Sequence, residues 1–242
     1  MKKIIVLPAY NAARTLEETV ASIPSGAFEE IILVDDRSSD GTYELAKKLG
    51  LSAHRHERNR GYGGNQKTCY SLALERGAGI VVMLHPDYQY DPRVIPLMTG
   101  IIEAGVCDVV LGNRIRTRAE ALAGGMPVYK YLANRALTMA ENLAAGQNLG
   151  EWHSGLRAYS RAALEQVDWS ANSEGFAFDS QFLFQAAFKG LRIGDIPVPA
   201  RYFPEASSIS FAGSVRYGLE TLLAAAEFLV NSSGLARTRR YR

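Results

Sequence analysis

The sequence lacks most of the features that would set it apart from an ordinary globular protein. It has two cysteines, Cys69 and Cys107, far apart and without metal-ligand spacing, so reduced thiols are expected and a disulfide is not. Neither charge dominates. Lys and Arg number 27 against 25 Asp and Glu, and the formal net charge of +2 gives no global field of the kind that marks a nucleic-acid binder. No apolar run approaches the ~18–20 residues that span a bilayer. The first run, Ile4-Ile5-Val6-Leu7, breaks at Pro8 and is too short for the apolar core of a secretion signal. A soluble or at most peripheral cytoplasmic protein is expected. There is no internal repeat and no low-complexity linker. The glycines of Gly61-Tyr62-Gly63-Gly64 form neither the dinucleotide fingerprint nor a phosphate loop with its lysine.

What remains is a chain with ample core material, 47% hydrophobic and 21% charged over 242 residues. Short apolar runs, Ile4–Leu7, Ile31–Val34, Ile80–Leu84 and Val109–Gly112, alternate with helix-length segments, and a short strand is expected near Ser52–His56. Continuous apolar strands at βαβ spacing predict a mainly parallel sheet covered on both faces. Thr15 is a candidate helix cap, and Ser39 or Asp40 another. Residues 59–65 read as a glycine-rich loop before a helix from Gln66, and 115–127 as a mobile basic loop. Further helices are expected over Tyr129–Ala145, from the cap Ser160 to Val167, and over Phe178–Lys189 with an amphipathic pattern. A late strand at Leu191–Ile196, a turn at Pro204–Ser208, an apolar helix capped by Ser214 and a disordered basic tail complete the chain.

Each early strand ends in polar groups, and in an open α/β sheet the carboxyl edge is where ligands bind. The run Val81–Leu84 stops at His85-Pro86-Asp87-Tyr88-Gln89-Tyr90-Asp91-Pro92, because proline cannot donate to a ladder. Asp87 is the foremost metal candidate, since Mg²⁺ or Mn²⁺ is commonly held by one or two carboxylates plus substrate phosphates. His85 is either a ligand suited to Mn²⁺ or a packing histidine. Gln89 either binds the metal or orients Asp87. Tyr10 can stack on a base, and Asp35 or Asp36 can accept from a base or ribose, Asp36 alternatively serving as a cap. Among the arginines, Arg114 and Arg157 stand first for gripping phosphate.

Taken in order, Leu7-Pro8-Ala9-Tyr10-Asn11, Val34-Asp35-Asp36-Arg37-Ser38-Ser39-Asp40-Gly41-Thr42, Asn59-Arg60-Gly61-Tyr62-Gly63, Asp87-Tyr88-Gln89 with Pro92, Gly112-Asn113-Arg114, Ser154–Tyr159 and Phe178-Asp179 form a specific series over about residues 3–203. It resembles the family 2 inverting glycosyltransferases, in particular the dolichyl- or polyprenyl-phosphate mannosyltransferase-like branch. The resemblance implies a GT-A fold, α/β with a mainly parallel nucleotide-binding sheet flanked by helices, and a variable acceptor half. One domain over 1–230 is expected: a nucleotide-sugar half at 1–114, an acceptor half at 115–213, an amphipathic helix at 214–230, and a basic tail at 231–242. Pro8, Tyr10, Asn11, Asp35, Asp36, Gly61 and Asp87 fall at donor positions. Asp87, Gln89 and His85 fall at the metal, and Asp87, Asp179, Arg114 and Arg157 at catalytic positions.

The pattern departs from the family at Ala12, where an acid is usual, at His85 in place of the first aspartate of D-x-D, at His153 for threonine, and at Gln181 for glutamate. The implied reaction is inverting transfer of a sugar from a nucleotide-diphospho-sugar to a polyprenyl phosphate, with Mg²⁺ or Mn²⁺. Two alternatives stand: transfer to a hydroxyl with Asp179 as base and Glu174 behind it, and a nucleotide-binding protein that has lost catalysis. Expected partners are the donor, a lipid-phosphate or glycan acceptor, the inner face of a membrane through the C-terminal helix, and a second copy in a homodimer. No nucleic acid is expected.

Overall fold

The computed structural model describes residues 1–201 and 211–242, so the turn expected at Pro204–Ser208 lies outside the described residues. The apolar runs and the segments between them fold as β1 (Lys3–Ala9), α1 (Leu16–Ala21), β2 (Glu30–Asp35), α2 (Thr42–Lys48), β3 (Ser52–Arg55), α3 (Gly61–Glu75) and β4 (Ile80–Leu84). A 3-10 turn at Pro92–Val94 leads into α4 (Ile95–Glu103), β5 (Val109–Asn113), α5 (Arg118–Ala123) and α6 (Val128–Ala145). The chain closes with β6 (Leu156–Ser160), α7 (Arg161–Gln166), α8 (Phe178–Phe188), β7 (Ile193–Pro197) and α9 (Phe211–Ser232).

One sheet holds all seven strands in the order β3-β2-β1-β4-β6-β5-β7. Strands β1 to β4 pair in parallel, as do β5 and β7, while β6 runs antiparallel between β4 and β5. Alternation along each strand divides the core. Ile4, Val6, Ile32, Val34, Val81 and Met83 face α3 and α8, and Ile5, Leu7, Leu33, Val82 and Leu84 face the other layer, which includes Ile95 and Met98 of α4. The reversed β6 positions the site. Leu156 pairs with Leu84, so residues 152–155 enter at the same edge where β4 delivers His85. Within β6, Arg157 lies opposite Met83 and Leu111 and therefore points into the α3–α8 layer.

Several local expectations change, each for a packing reason. The strand β1 continues through Pro8. That residue faces β4, whose pairing with β1 has already ended at Val6–Met83, so the missing N–H costs no ladder bond. The glycine-rich stretch is the first turn of α3, not a loop. A Cβ at Gly63 would overlap the Ser173 carbonyl oxygen and stand 2.9 Å from Phe178 Cβ, so glycine is required by close approach. Thr15 makes no side-chain cap and donates instead to Pro86 O at 2.6 Å. Gly41 occupies the α2 cap position, with Asp40 accepting from Thr42. The basic loop contains α5, and Ser214 lies inside α9 rather than at its start. Ser160 caps α7 as expected, accepting from Ala163 N. Helix α8 is buried along nearly its whole length, from Phe178 to Ala186, and is not amphipathic.

The tail folds back. Tyr241 is 2% exposed against Phe188 and Phe228, and Arg240 pairs with Glu227 of α9. Truncation as Tyr241→Ala is expected to cost about 3 kcal/mol in a denaturant melt; a detached tail would give no change. Gly63→Ala is expected to cost about 1–3 kcal/mol through overpacking, with a matching fall in Tm.

Candidate functional site

Three non-glycine residues take positive φ, and each follows a strand at the carboxyl edge: Asn11 (52°) after β1, Arg37 (66°) after β2 and Tyr88 (57°) after β4. Such strain collects where surrounding structure over-determines a functional loop. At the β1 end, Tyr10 is 59% exposed and open to stacking, while Asn11 is fixed by its Oδ1 accepting from Ser39 N and its N–H donating to Ser38 Oγ.

The acids after β2 are committed to the protein. Asp35 is fully buried, accepts from Ser38 N and pairs with Arg55 at 3.2 Å. Asp36 accepts from His56 Nδ1 (2.7 Å), Arg60 N (2.8 Å) and Gly61 N (2.9 Å), and so ties β2 to the start of α3. Of the two readings of Asp36, the structure displays the cap. Gly61 brings its N–H to that carboxylate at φ +80° and does not present it to solvent.

After β4, Asp87 is half-buried, and one oxygen accepts from Gln89 N at 3.1 Å. It makes no ion pair among the described residues, and burial raises its pKa to about 6. Gln89 is buried, its carbonyl accepting from Arg201 N, and Arg201 stacks over Tyr88 at 4.5 Å. His85 Nε2 lies 3.0 Å from the Tyr62 hydroxyl, and because that hydroxyl gives its proton to Asp179, the one N–H of the neutral ring is the donor of this contact. Burial, against the pull of Asp179, lowers its pKa to about 4, so the ring is neutral. Gly155 leaves it room: a Cβ there would overlap the imidazole. To bind a metal through Nε2, His85 would have to give up this bond to Tyr62.

Behind His85 runs a connected polar chain. The Tyr62 hydroxyl donates to Asp179 Oδ2 at 2.6 Å, Gln66 Nε2 donates to Oδ1 at 3.1 Å, and Arg157 Nη2 stands 3.2 Å from Oδ2. Burial and the Asp179 charge together keep Tyr62 protonated, well above the ordinary phenol range. Arg157 is fully buried and also donates to the Trp152 and Ser154 carbonyls. It therefore holds Asp179 in place and has no surface to offer a phosphate, against the expectation from sequence. Arg114 likewise forks onto the buried Glu151, with 2.8 and 2.5 Å contacts, and donates to His153 O. Glu174 pairs with Lys67 at 2.6 Å.

The structure thus brings Tyr10, His85, Asp87, Gln89, Arg114, Arg157 and Asp179 to one region, and leaves Asp35, Asp36 and Gly61 as its framework. Sequence reasoning missed Gln66, Glu151 and Tyr217, as well as the partners of His153, which meets Tyr217 Oη at 2.5 Å and Glu141 at 3.1 Å. Nothing in local spacing marks them, because each acts through a partner distant in the chain. Among the described residues no cluster of three His, Cys, Asp or Glu could hold a metal alone. Asp87 fits a cation shared with a polyphosphate: its charge is disfavoured by burial, and a divalent ion would relieve that cost.

The UDP-N-acetylglucosamine--dolichyl-phosphate N-acetylglucosaminyltransferase of Methanococcus voltae is 29% identical over 82% of this chain and 85% of its own. The dolichyl-phosphate hexose transferase of Haloferax volcanii is 28% identical over 88% and 90%. Among solved structures, glucosyl-3-phosphoglycerate synthase from Mycobacterium tuberculosis in complex with Mn²⁺, UDP-glucose and phosphoglyceric acid has a TM-score of 0.71 at 20% identity, covering 98% of this chain and 81% of that one, and so shares the GT-A fold. Residues 4–168, from the first residues of β1 to just beyond α7, match Glycosyl transferase family 2, and the chain belongs to that family.

Proposed function

We propose that this chain transfers a sugar, with inversion, from a nucleotide-diphospho-sugar to a polyprenyl phosphate. The observation that carries the reading is an asymmetry among the carboxylates. Asp87 stands half-buried at the sheet edge with no ion pair among the described residues, whereas both acids proposed as a general base are engaged, Asp179 by Tyr62, Gln66 and Arg157, and Glu174 by Lys67. A hydroxyl acceptor needs a base. A phosphate acceptor is ionised near neutral pH and needs chiefly positioning and stabilisation of the leaving group. Relatives named for transfer to dolichyl phosphate support the same acceptor class.

In this reading Tyr10 stacks on the donor base, and Asp87 turns its carboxylate toward the donor diphosphate. A divalent cation, when bound, offsets the charge that builds on the departing diphosphate. The neutral His85 ring, fixed by Tyr62, forms the wall beside Asp87, and Gln89 N–H orients the carboxylate. Arg114, held by Glu151 close to the Tyr90 ring, contributes a fixed positive charge to the pocket rather than a mobile fork.

Asp87→Asn is expected to lower turnover by about 10²–10³ with Mg²⁺ or Mn²⁺; retention of full turnover would end the assignment. Asp87 also sets a pH dependence. Its folded pKa of about 6 means that a proton competes with the cation below that pH. Metal-dependent donor binding, followed by thermal shift with UDP-, GDP-, dTDP- and CDP-sugars, is expected to weaken about tenfold per pH unit below pH 6 and to level off above it. Asp179→Asn separates the acceptor classes. Rate loss accompanied by loss of fold stability fits a carboxylate that serves as the ion-pair partner of Arg157. Rate loss with stability and donor binding intact points to a base for a hydroxyl acceptor.

A further inference from the structure

Helix α6 is built inside out. Its buried residues are polar, Asn134, Thr138 and Glu141, and its exposed ones include Val128, Tyr129, Leu132, Met139 and Leu143, the last 85% exposed. Their spacing places Val128, Leu132, Met139 and Leu143 on one stripe. The inner face is polar because it borders the site: Asn134 donates to Glu151, and Glu141 accepts from Ser180 and meets His153. Helix α9 packs beside α6, with Leu137 against Gly218, and sends Tyr217 inward to His153. Its outer side carries Val215, Leu219, Leu222, Leu223, Leu229 and Val230. These two helices hold eleven of the seventeen large apolar side chains exposed among the described residues.

We propose that the outer face of α6 and α9 together is the surface by which the protein lies on an anionic lipid bilayer; the proposal rests on and extends the lipid-phosphate acceptor reading. Two observations select this occupant over a second copy of the chain. The first is charge. Arg116, Arg118, Lys130 and Arg135 lie between Ile115 and Gly146 against two acids, of which Glu141 is buried and Glu120 is paired with Arg116, and the two acids of α9 are also matched, Glu220 by Arg216 and Glu227 by Arg240. The stretch after α9 adds Arg237, Arg239 and Arg242 without an acid, besides the Arg240 that pairs with Glu227. A second copy would oppose the same cations, whereas anionic headgroups complement them. The second is continuity. The helices whose backs are apolar are those whose fronts border the Arg114–Glu151 and His153 side of the site, so an acceptor phosphate can enter there while its tail stays in lipid. No helix among the described residues is long and apolar enough to cross a membrane, so the contact is in-plane.

The test is co-sedimentation of the full chain with phosphatidylcholine vesicles, with and without phosphatidylglycerol, for the wild type and for L132S/L143S on α6 and L219S/L223S on α9. The wild type is expected to partition onto the anionic vesicles and to be released by salt. Each double variant is expected to lose partition about tenfold or more, with its thermal shift by nucleotide-sugar and its transfer to a short, water-soluble prenyl phosphate unchanged. No partition by the wild type would overturn the proposal. So would unchanged partition in the α6 variant, or a dimer in sedimentation that the variants dissociate while vesicle binding stays absent. If vesicles bind as expected but no prenyl phosphate is a substrate, the acceptor reading fails and the docking surface stands.

Discussion

The site depends on one buried ion pair, Arg157 with Asp179. Neither side chain has appreciable contact with water, and the desolvation that this implies is worth bearing only if both charges are well partnered. They are. Arg157 gives Nε to the Ser154 carbonyl and Nη2 to the Trp152 carbonyl, which fixes the segment entering β6, and Asp179 receives Tyr62 and Gln66 from α3; Nη1 alone is left buried without a partner among the described residues. Strand β6, helix α8 and helix α3 are thereby joined at one carboxylate. Tyr62 carries the constraint onward to His85 at the end of β4. Removing either charge would leave the other buried and alone, and the polar edge of the sheet would lose its backing.

That frame explains why a departure from the family pattern is tolerated. A histidine at position 85 has a cavity made for it by Gly155 and a hydroxyl supplied by Tyr62. It is neutral, so it adds no charge beside Asp87. After β4 the edge presents Asp87, half-buried and without an ion pair among the described residues, which suits a cation whose remaining ligands come from the substrate's own phosphates. The aromatic row from His85 through Tyr62 and Phe176 to Tyr217 continues the wall toward α9 and links the chemistry to the helices with apolar backs.

Much of the fold was legible in the sequence, because buried parallel strands are short apolar runs and their ends are marked by proline, glycine and acids. Ile80–Leu84 was readable for that reason, and it carries Asp87 to the carboxyl edge of the sheet. The reversed direction of β6 was not legible, since it is set by the path of α5 and α6. Gly63 looked like a loop residue because glycine usually signals a turn; in the fold it marks close approach of the 173–178 segment. Arg114 and Arg157 looked like phosphate grips because composition shows charge but not its partner, and Glu151 and Asp179 lie 37 and 22 positions further along the chain. The inverted pattern of α6 was present in the sequence as an apolar stripe, but only the fold shows which side of the stripe faces out.

The chemistry proposed for this edge turns on Asp87 being the one side chain that contacts the cation, with His85 retained by the chain of contacts that begins at Arg157. Anomalous diffraction at the manganese edge, from crystals grown with Mn²⁺ and a nucleotide-diphospho-sugar, tests it directly. The expected map has one peak bonded to the Asp87 carboxylate and the donor phosphates, with His85 Nε2 still about 3.0 Å from Tyr62 Oη. A peak bonded to His85 Nε2, with the Tyr62 contact broken, would refute it.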